Sequence, residues 1–116
     1  EKLSGSLLAT GFPYEENVSF KRNFDFFRQI YPLTQGVRRA GSAAIDLCYT
    51  ACGRFDAFWE LDINAWDVAA GALIVREAGG KLINMDGSQF SIYDRQILAT
   101  NGLIEAELLT IFKSTL

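Results

Sequence analysis

With 116 residues, 49% of them hydrophobic and 22% charged, the chain has the size and balance of one ordinary soluble domain. A net charge of -3 gives no electrostatic reason to expect nucleic acid or an anionic membrane as partner, and no apolar run approaches the roughly eighteen residues of a spanning helix. Histidine is absent, which excludes Ser-His and Cys-His nucleophiles and leaves base chemistry to a carboxylate, a Lys, a Tyr or a metal-bound water.

The chain begins at Glu1 with no basic-then-apolar leader and soon enters Leu7-Leu8-Ala9, which predicts a piece of something longer or a processed chain. The stretch from Leu7 to Phe12, "LLATGF", reads as a buried strand broken by Gly11 and Pro13. A helix is predicted from about Asn17 to Tyr31, with Phe20, Phe24, Phe27 and Tyr31 on one apolar face and Pro32 as its stop. "TQGVRRA" reads as a short strand, and Ser42 as the N-cap of a helix over "AAIDLCYTAC" that Gly53 closes in a left-handed conformation. Cys48 and Cys52 lie on that helix and read as reduced core thiols, a poor zinc site without a second ligand pair. Reduced thiols fit a cytoplasmic location.

"FDAFWE" is strand-like, and a third helix runs from Asp67 to Ala78 before Gly79-Gly80. This helix is apolar nearly all round, so cover on more than one side is expected, by a sheet or by a second domain. Gly71 inside it predicts close approach of another backbone, since glycine there weakens the helix by about 1 kcal/mol. "KLINM" and "QILAT" read as strands on either side of the Asp86-Gly87 turn, and Asn101 as the cap of a last helix from about Leu103 to Lys113. Strands and helices alternate, which predicts an α/β layer fold: a mixed or mostly parallel sheet with helices on both faces.

In such a sheet, ligands collect beyond the carboxyl ends of strands, facing helix N-termini. Gly41-Ser42-Ala43 opens the second helix at such a junction, Asn64 to Asp67 opens the third, and Glu60 closes the strand between them. Helix N-termini suit anions. Glu60 and Asp67 together suit a divalent cation such as Mg²⁺. Plainer readings stand beside these: Asp67 and Ser42 as simple caps, Glu60 as a solvated acid, and Arg38-Arg39 as an exposed basic pair rather than a phosphate clasp. Asp46, Asp56, Asp62 and Glu77 read as surface or locally paired acids, and Trp59 and Trp66 as packing residues.

"WDVAAGALIVREAGG", Trp66 to Gly80, resembles the signature W-D-x-A-x-G-x-x-I/L-V-x-E-A-G-G of the inositol monophosphatase family. "RRAGSAAIDLCYTACGRFDAFWE", Arg38 to Glu60, is similar to the segment preceding it, and "LLATGFPY" to the opening strand of the same lobe. The resemblance implies Mg²⁺-dependent, lithium-sensitive phosphatase activity on inositol 1-phosphate or related polyol phosphates, with the chain forming the C-terminal lobe of a layered sandwich. It further implies that Asp67 ligates a metal and lies near the substrate, that Glu60 accepts a hydrogen bond from a substrate hydroxyl, and that Gly41, Ser42 and Ala43 line the substrate pocket. The family's other acidic motifs, a metal-binding Glu and D-P-L/I-D-G-T, are absent from this sequence, so the resemblance implies an N-terminal half as partner and an inactive isolated lobe. Homodimers are also implied. Fructose-1,6-bisphosphatase or bisphosphate nucleotidase activity is the alternative that Arg38 and Arg39 would favour. A non-catalytic interaction module is the alternative of another class.

Overall fold

A computed structural model describes residues 2–12 and 17–115. A 3-10 turn at Leu3–Gly5 leads into β1 (Leu7–Thr10). Then follow α1 (Val18–Ile30), a 3-10 turn at Tyr31–Leu33, β2 (Gly36–Arg38) and α2 (Ala43–Ala51). The remainder comprises β3 (Ala57–Leu61), α3 (Ala65–Glu77), β4 (Lys81–Ile83), β5 (Gln96–Thr100) and α4 (Glu105–Thr115). Pro13, predicted to break the first strand, lies outside the described residues, as does Tyr14.

The five strands form one mixed sheet in the order β2-β1-β3-β5-β4. β1 runs parallel to both β2 and β3, with Leu8 opposite Val37 and Thr10 opposite Trp59. β5 is antiparallel to β3 and to β4. The period-2 alternation of each strand sends neighbouring side chains to opposite faces. Leu8, Ala57, Trp59 and Leu98 face a core with Phe26 and Ile30 of α1 and Leu108 and Phe112 of α4. Ala9, Phe58, Ile97 and Ala99 face a second core with Leu47 of α2 and Val68, Ala72 and Val75 of α3. Helices therefore cover both faces, as predicted, and the sheet is mixed.

The helix ends follow local chemistry. Asn17 caps α1 by accepting from the Phe20 amide at 2.9 Å. Ser42 caps α2 by accepting from the Ile45 amide at 3.3 Å, as its position predicts. Gly79 at φ +85 closes α3, with its amide donating to Arg76 O and the Gly80 amide to Val75 O, the paired bonds of a Schellman motif. The last helix starts two residues later than predicted, at Glu105; Asn101 Oδ1 instead accepts from the Leu103 amide in a turn ahead of it.

α1 departs from the expected orientation. Its buried residues are Asn23, Phe26 and Ile30, whereas Phe24 is 52% exposed and Tyr31 51%. The aromatic face points sideways, where Phe20, Phe24 and Phe27 cluster around Phe12 with ring centroids 5.0–6.2 Å apart. Asn23 goes inward because partners wait for it. Trp59 Nε1 donates to Asn23 Oδ1, and Asn23 Nδ2 donates to Thr10 Oγ1 at 3.1 Å and to Gly11 O at 2.8 Å. Thr10 Oγ1 in turn donates to Trp59 O at 2.8 Å. This closed ring ties α1, β1 and β3 together with every member satisfied, the condition under which a buried polar network stabilises.

α3 is covered on one side only. Val68, Gly71, Ala72 and Val75 are buried, while Trp66 is 79%, Leu73 58% and Ile74 44% exposed. The expected second cover is not supplied by the described residues. Gly71 faces a side chain rather than the predicted backbone: a Cβ there would lie 2.7 Å from Leu47 Cβ of α2. Close backbone approach occurs instead at Gly80, where a Cβ would lie 2.7 Å from Thr100 O of β5. Nor are the two cysteines core thiols. Both are free, but Cys48 is half-buried and Cys52 exposed, because the inward face of α2 is taken by Asp46, Leu47 and Thr50.

Candidate functional site

The three parallel strands end on one side of the sheet, and the polar residues predicted from the sequence meet there. A cleft of about 380 Å³ is lined by Gly11 and Phe12 after β1, Arg39 after β2, and Glu60 near the end of β3. The N-terminal end of α2 contributes Gly41, Ser42, Ala43 and Asp46, and that of α3 contributes Trp66 and Asp67. Parallel strands with right-handed crossovers place strand ends and helix N-termini at the same edge, which is where α/β ligand sites form.

Glu60 is the centre of this arrangement. It is the fourth residue of β3 rather than its terminus, and it is half-buried rather than solvated as its plain reading had it. Room for its carboxyl depends on Gly11: a Cβ there would lie 2.7 Å from Glu60 Cδ. Burial, and then the charges of Asp46 and Asp67, push Glu60 up from 4.5 to about 7, against an opposing pull from Arg39. At neutral pH the group is close to half protonated, able both to donate and to accept a hydrogen bond.

Asp67 does not cap α3. The helix begins at Ala65, and Asn64 is the capping residue by backbone conformation. Asp67 lies in the first turn with its amide donating to Asn64 O at 3.0 Å and its side chain exposed at the mouth of the cleft. Asn64 makes no side-chain cap bond, because its Oδ1 accepts from Arg95 Nη1 at 2.9 Å. Arg95 Nη2 also donates to Asp62 Oδ1 at 2.6 Å, and Asn17 Nδ2 to Asp62 Oδ2 at 3.1 Å. These bonds, with Arg95 foremost, hold the Asp62 carboxyl below its usual range. They pin the turn between β3 and α3 while leaving the N-terminus of α3 without a side-chain cap. Asp62 is thus paired, though with residues distant in sequence rather than locally, and so is Asp56, which accepts from the Leu7 amide and from Asn101 Nδ2.

Two predicted residues separate. Arg39 lines the cleft, with its guanidinium 6.0 Å from the Phe12 ring centroid. Arg38 is exposed at the end of the edge strand and does not line it. Trp59 packs in the core, but Trp66, expected to pack as well, stands open at the cleft mouth. Glu77 is exposed at the end of α3.

Asp46, read from the sequence as a surface or paired acid, is a correction. It is 1% exposed, lines the cleft, and has one carboxylate oxygen, Oδ1, with no hydrogen-bond partner among the described residues. Burial raises it from 3.8 to about 6. Its signal was present: Asp46 falls three residues after Ala43 and four before Thr50, on the stripe that α2 turns inward. Gly11, Phe12 and Ile63 also line the cleft without having been predicted as site residues.

Among the described residues, no three acidic or thiol side chains come together closely enough to hold a metal ion. Asp67, exposed at the mouth, fits a cation as a single donor of a larger set.

The comparisons with known proteins agree on one lineage. A model of the inositol monophosphatase family matches residues 1–115. The chain is 53% identical over 106 residues to an inositol-1-monophosphatase of Synechocystis, covering 91% of this chain and 37% of that protein. It is 44% identical over 104 residues to a chloroplastic phosphatase of Arabidopsis thaliana, covering 90% of this chain and 28% of that protein. The structure of an inositol monophosphatase from Anabaena superposes with a TM-score of 0.91 at 46% identity, covering 97% of this chain and 46% of the other. The chain spans less than half the length of each of these relatives.

Proposed function

Because the chain belongs to the inositol monophosphatase family, we propose that it is the C-terminal lobe of a Mg²⁺-dependent phosphomonoesterase acting on inositol 1-phosphate or a related polyol phosphate. The observation that carries this reading is the convergence of Glu60, Asp67 and Gly41–Ala43 on one cleft at the ends of three parallel strands. Asp67 gives one oxygen donor to the Mg²⁺ site, whose remaining donors come from the N-terminal half. Mg²⁺, when bound, neutralises phosphate charge and supplies the acidity needed to turn water into a nucleophile near neutral pH. Glu60 orients the substrate through a hydroxyl, a role suited to a carboxyl able to donate and accept. Ser42 and Ala43 line the substrate pocket with the open end of α2.

The bare face of α3 supports the lobe assignment. Trp66, Leu73 and Ile74, with Ile45 on the neighbouring α2, leave large apolar side chains in water that an N-terminal half would cover. The same bare apolar residues suit a homodimer, or an interaction role for the isolated lobe. Arg39 at the cleft favours a second reading, in which a bisphosphate places its second phosphate beside that guanidinium; Arg38, away from the cleft, takes no part.

The test uses the full-length protein with Asp67→Asn, for which turnover falls at least about a hundredfold at saturating Mg²⁺. Wild-type turnover would overturn the role of Asp67. Glu60→Gln raises KM more than it lowers kcat. Residues 1–116 alone release no phosphate above background, and Mg²⁺-dependent turnover by them would refute the lobe assignment.

A further inference from the structure

Among the described residues, one oxygen of the Asp46 carboxylate has no hydrogen bond to explain its burial. The backbone of Asp46 is fully occupied in α2: its amide donates to Ser42 O at 2.9 Å, and its carbonyl accepts from Thr50 Oγ1 at 2.8 Å. The side chain is 1% exposed, faces the cleft, and leaves Oδ1 without a donor among the described residues. A buried carboxylate oxygen without a donor is a standing penalty, and such groups call for an absent partner. On the far side of the same sheet, Asn23 is equally buried and fully satisfied, so the fold is able to pair a polar group where nothing else is to bind.

The partner of Asp46 is narrowed by its neighbours. The proposed reading gives the metal to Asp67, exposed at the mouth, which disfavours one at the buried Asp46. A phosphate is disfavoured too, because Asp46 and Glu60 lie close enough for the Asp46 charge to raise Glu60, and a second anion over that pair would be repelled. What matches is an uncharged group that donates a hydrogen bond.

We propose that Asp46 accepts a hydrogen bond from a hydroxyl of the ligand in the cleft, so that Asp46 and Glu60 together read two hydroxyls of a polyol monophosphate. This deepens the proposed phosphatase reading and rests on it. It assigns the floor of the cleft to the polyol and leaves the phosphate to the Asp67 end. Selection follows from the asymmetry of buried polar groups: an ester without those hydroxyls leaves both acids unpaired, and a site built to bond a hydroxyl rejects the analogue lacking it.

The experiment compares inositol 1-phosphate with an alkyl monophosphate that has no free hydroxyl, on full-length wild type, Asp46→Ala and Asp46→Asn. Asp46→Ala lowers kcat/KM for inositol 1-phosphate about tenfold, chiefly through KM, and leaves the alkyl ester unchanged. Asp46→Asn keeps an acceptor oxygen and stays within about threefold of wild type. Equal losses on both esters, or no loss in Asp46→Ala, overturn the inference while the phosphatase reading stands. A wild type that hydrolyses neither ester removes both. Single-deoxy inositol phosphates give a readout that needs no variant to fold. Wild type loses activity on removal of either of two hydroxyls, and sensitivity to one hydroxyl alone refutes the part given to Asp46.

Discussion

The two faces of the central sheet solve the same problem in opposite ways. On the α1/α4 face, Asn23 is buried within a ring that pairs Trp59, Thr10 and Gly11 O. On the α2/α3 face, Asp46 is buried with an oxygen unpaired, and Glu60 is held near pH 7 beside it. The first face is finished by its own residues and serves to hold β1 and β3 in register. The second is left incomplete at the cleft and bare over α3. Asn23, fully paired, holds architecture, whereas the unpaired oxygen of Asp46 belongs to a residue that lines the cleft, where a partner can meet it.

The contrast is broken most severely from the finished side. Asn23→Ala leaves the Trp59 indole N–H without its acceptor and Gly11 O without its donor, while Thr10 keeps its bond to Trp59 O, and it opens a small cavity. It lowers stability by about 4 kcal/mol, measured as a shift of the denaturant midpoint at unchanged slope. A loss below about 1 kcal/mol would mean that the ring is ornamental and that the two faces do not differ as described.

From the unfinished side the sign reverses. Asp46 releases its proton near 3.8 when unfolded and near 6 when folded. Between these values the folded state holds the extra proton, so stability is greatest below the lower value, falls as pH rises towards 6, and then levels. Glu60 adds a decline of the same sign between 4.5 and about 7. Asp46→Asn removes the first decline and stabilises the protein by about 2 kcal/mol at pH 7. It also lowers the pKa of Glu60, one of whose raising charges is gone, a change that carboxyl ¹³C NMR titration follows. A stability profile unaltered by the substitution would show Asp46 to be comfortably solvated.

The smallest effect is a control that treats both faces alike. Asn17→Ala and Ser42→Ala each remove one N-cap bond, Asn17→Ala with it an exposed bond to Asp62, and each lower stability by about 1 kcal/mol. Thermal unfolding of the pair checks this. If Ser42→Ala were much the worse, Ser42 would hold more of the cleft than its cap bond.

Much of the fold was legible because the signals were local. Ser42 before an apolar run, Gly53 after it, and Gly79-Gly80 after α3 mark helix ends through bonds made within one turn. The apolar run "LLATGF", the aromatic "FDAFWE" and "QILAT" marked three strands, which the structure sets between two cores. Of the site, Glu60, Asp67 and Gly41–Ala43 were placed at strand ends and helix starts and do share the cleft, joined by Arg39, which read as one of an exposed basic pair.

What misled the sequence reading was polarity judged one residue at a time. The Phe stripe of α1 looked like its buried face, and Asp46 looked like a surface acid. The first could not be corrected from nearby residues, because the ring around Asn23 brings in Trp59 and Thr10 from other strands.

The sequence by itself determined the order of elements, most of their ends and the acids at the strand–helix junctions, since these depend on side chains acting on their own backbone or on periodicity, and its motifs carried the resemblance to the family. Only the tertiary structure decided which face of α1 turns inward, that Asp67 stands in the first turn of α3 rather than capping it, and that Asp46 is buried without a partner. The physical reason is that the free energy of burying a polar group is set by the donors and acceptors it meets, and those are brought together by strand pairing across the chain.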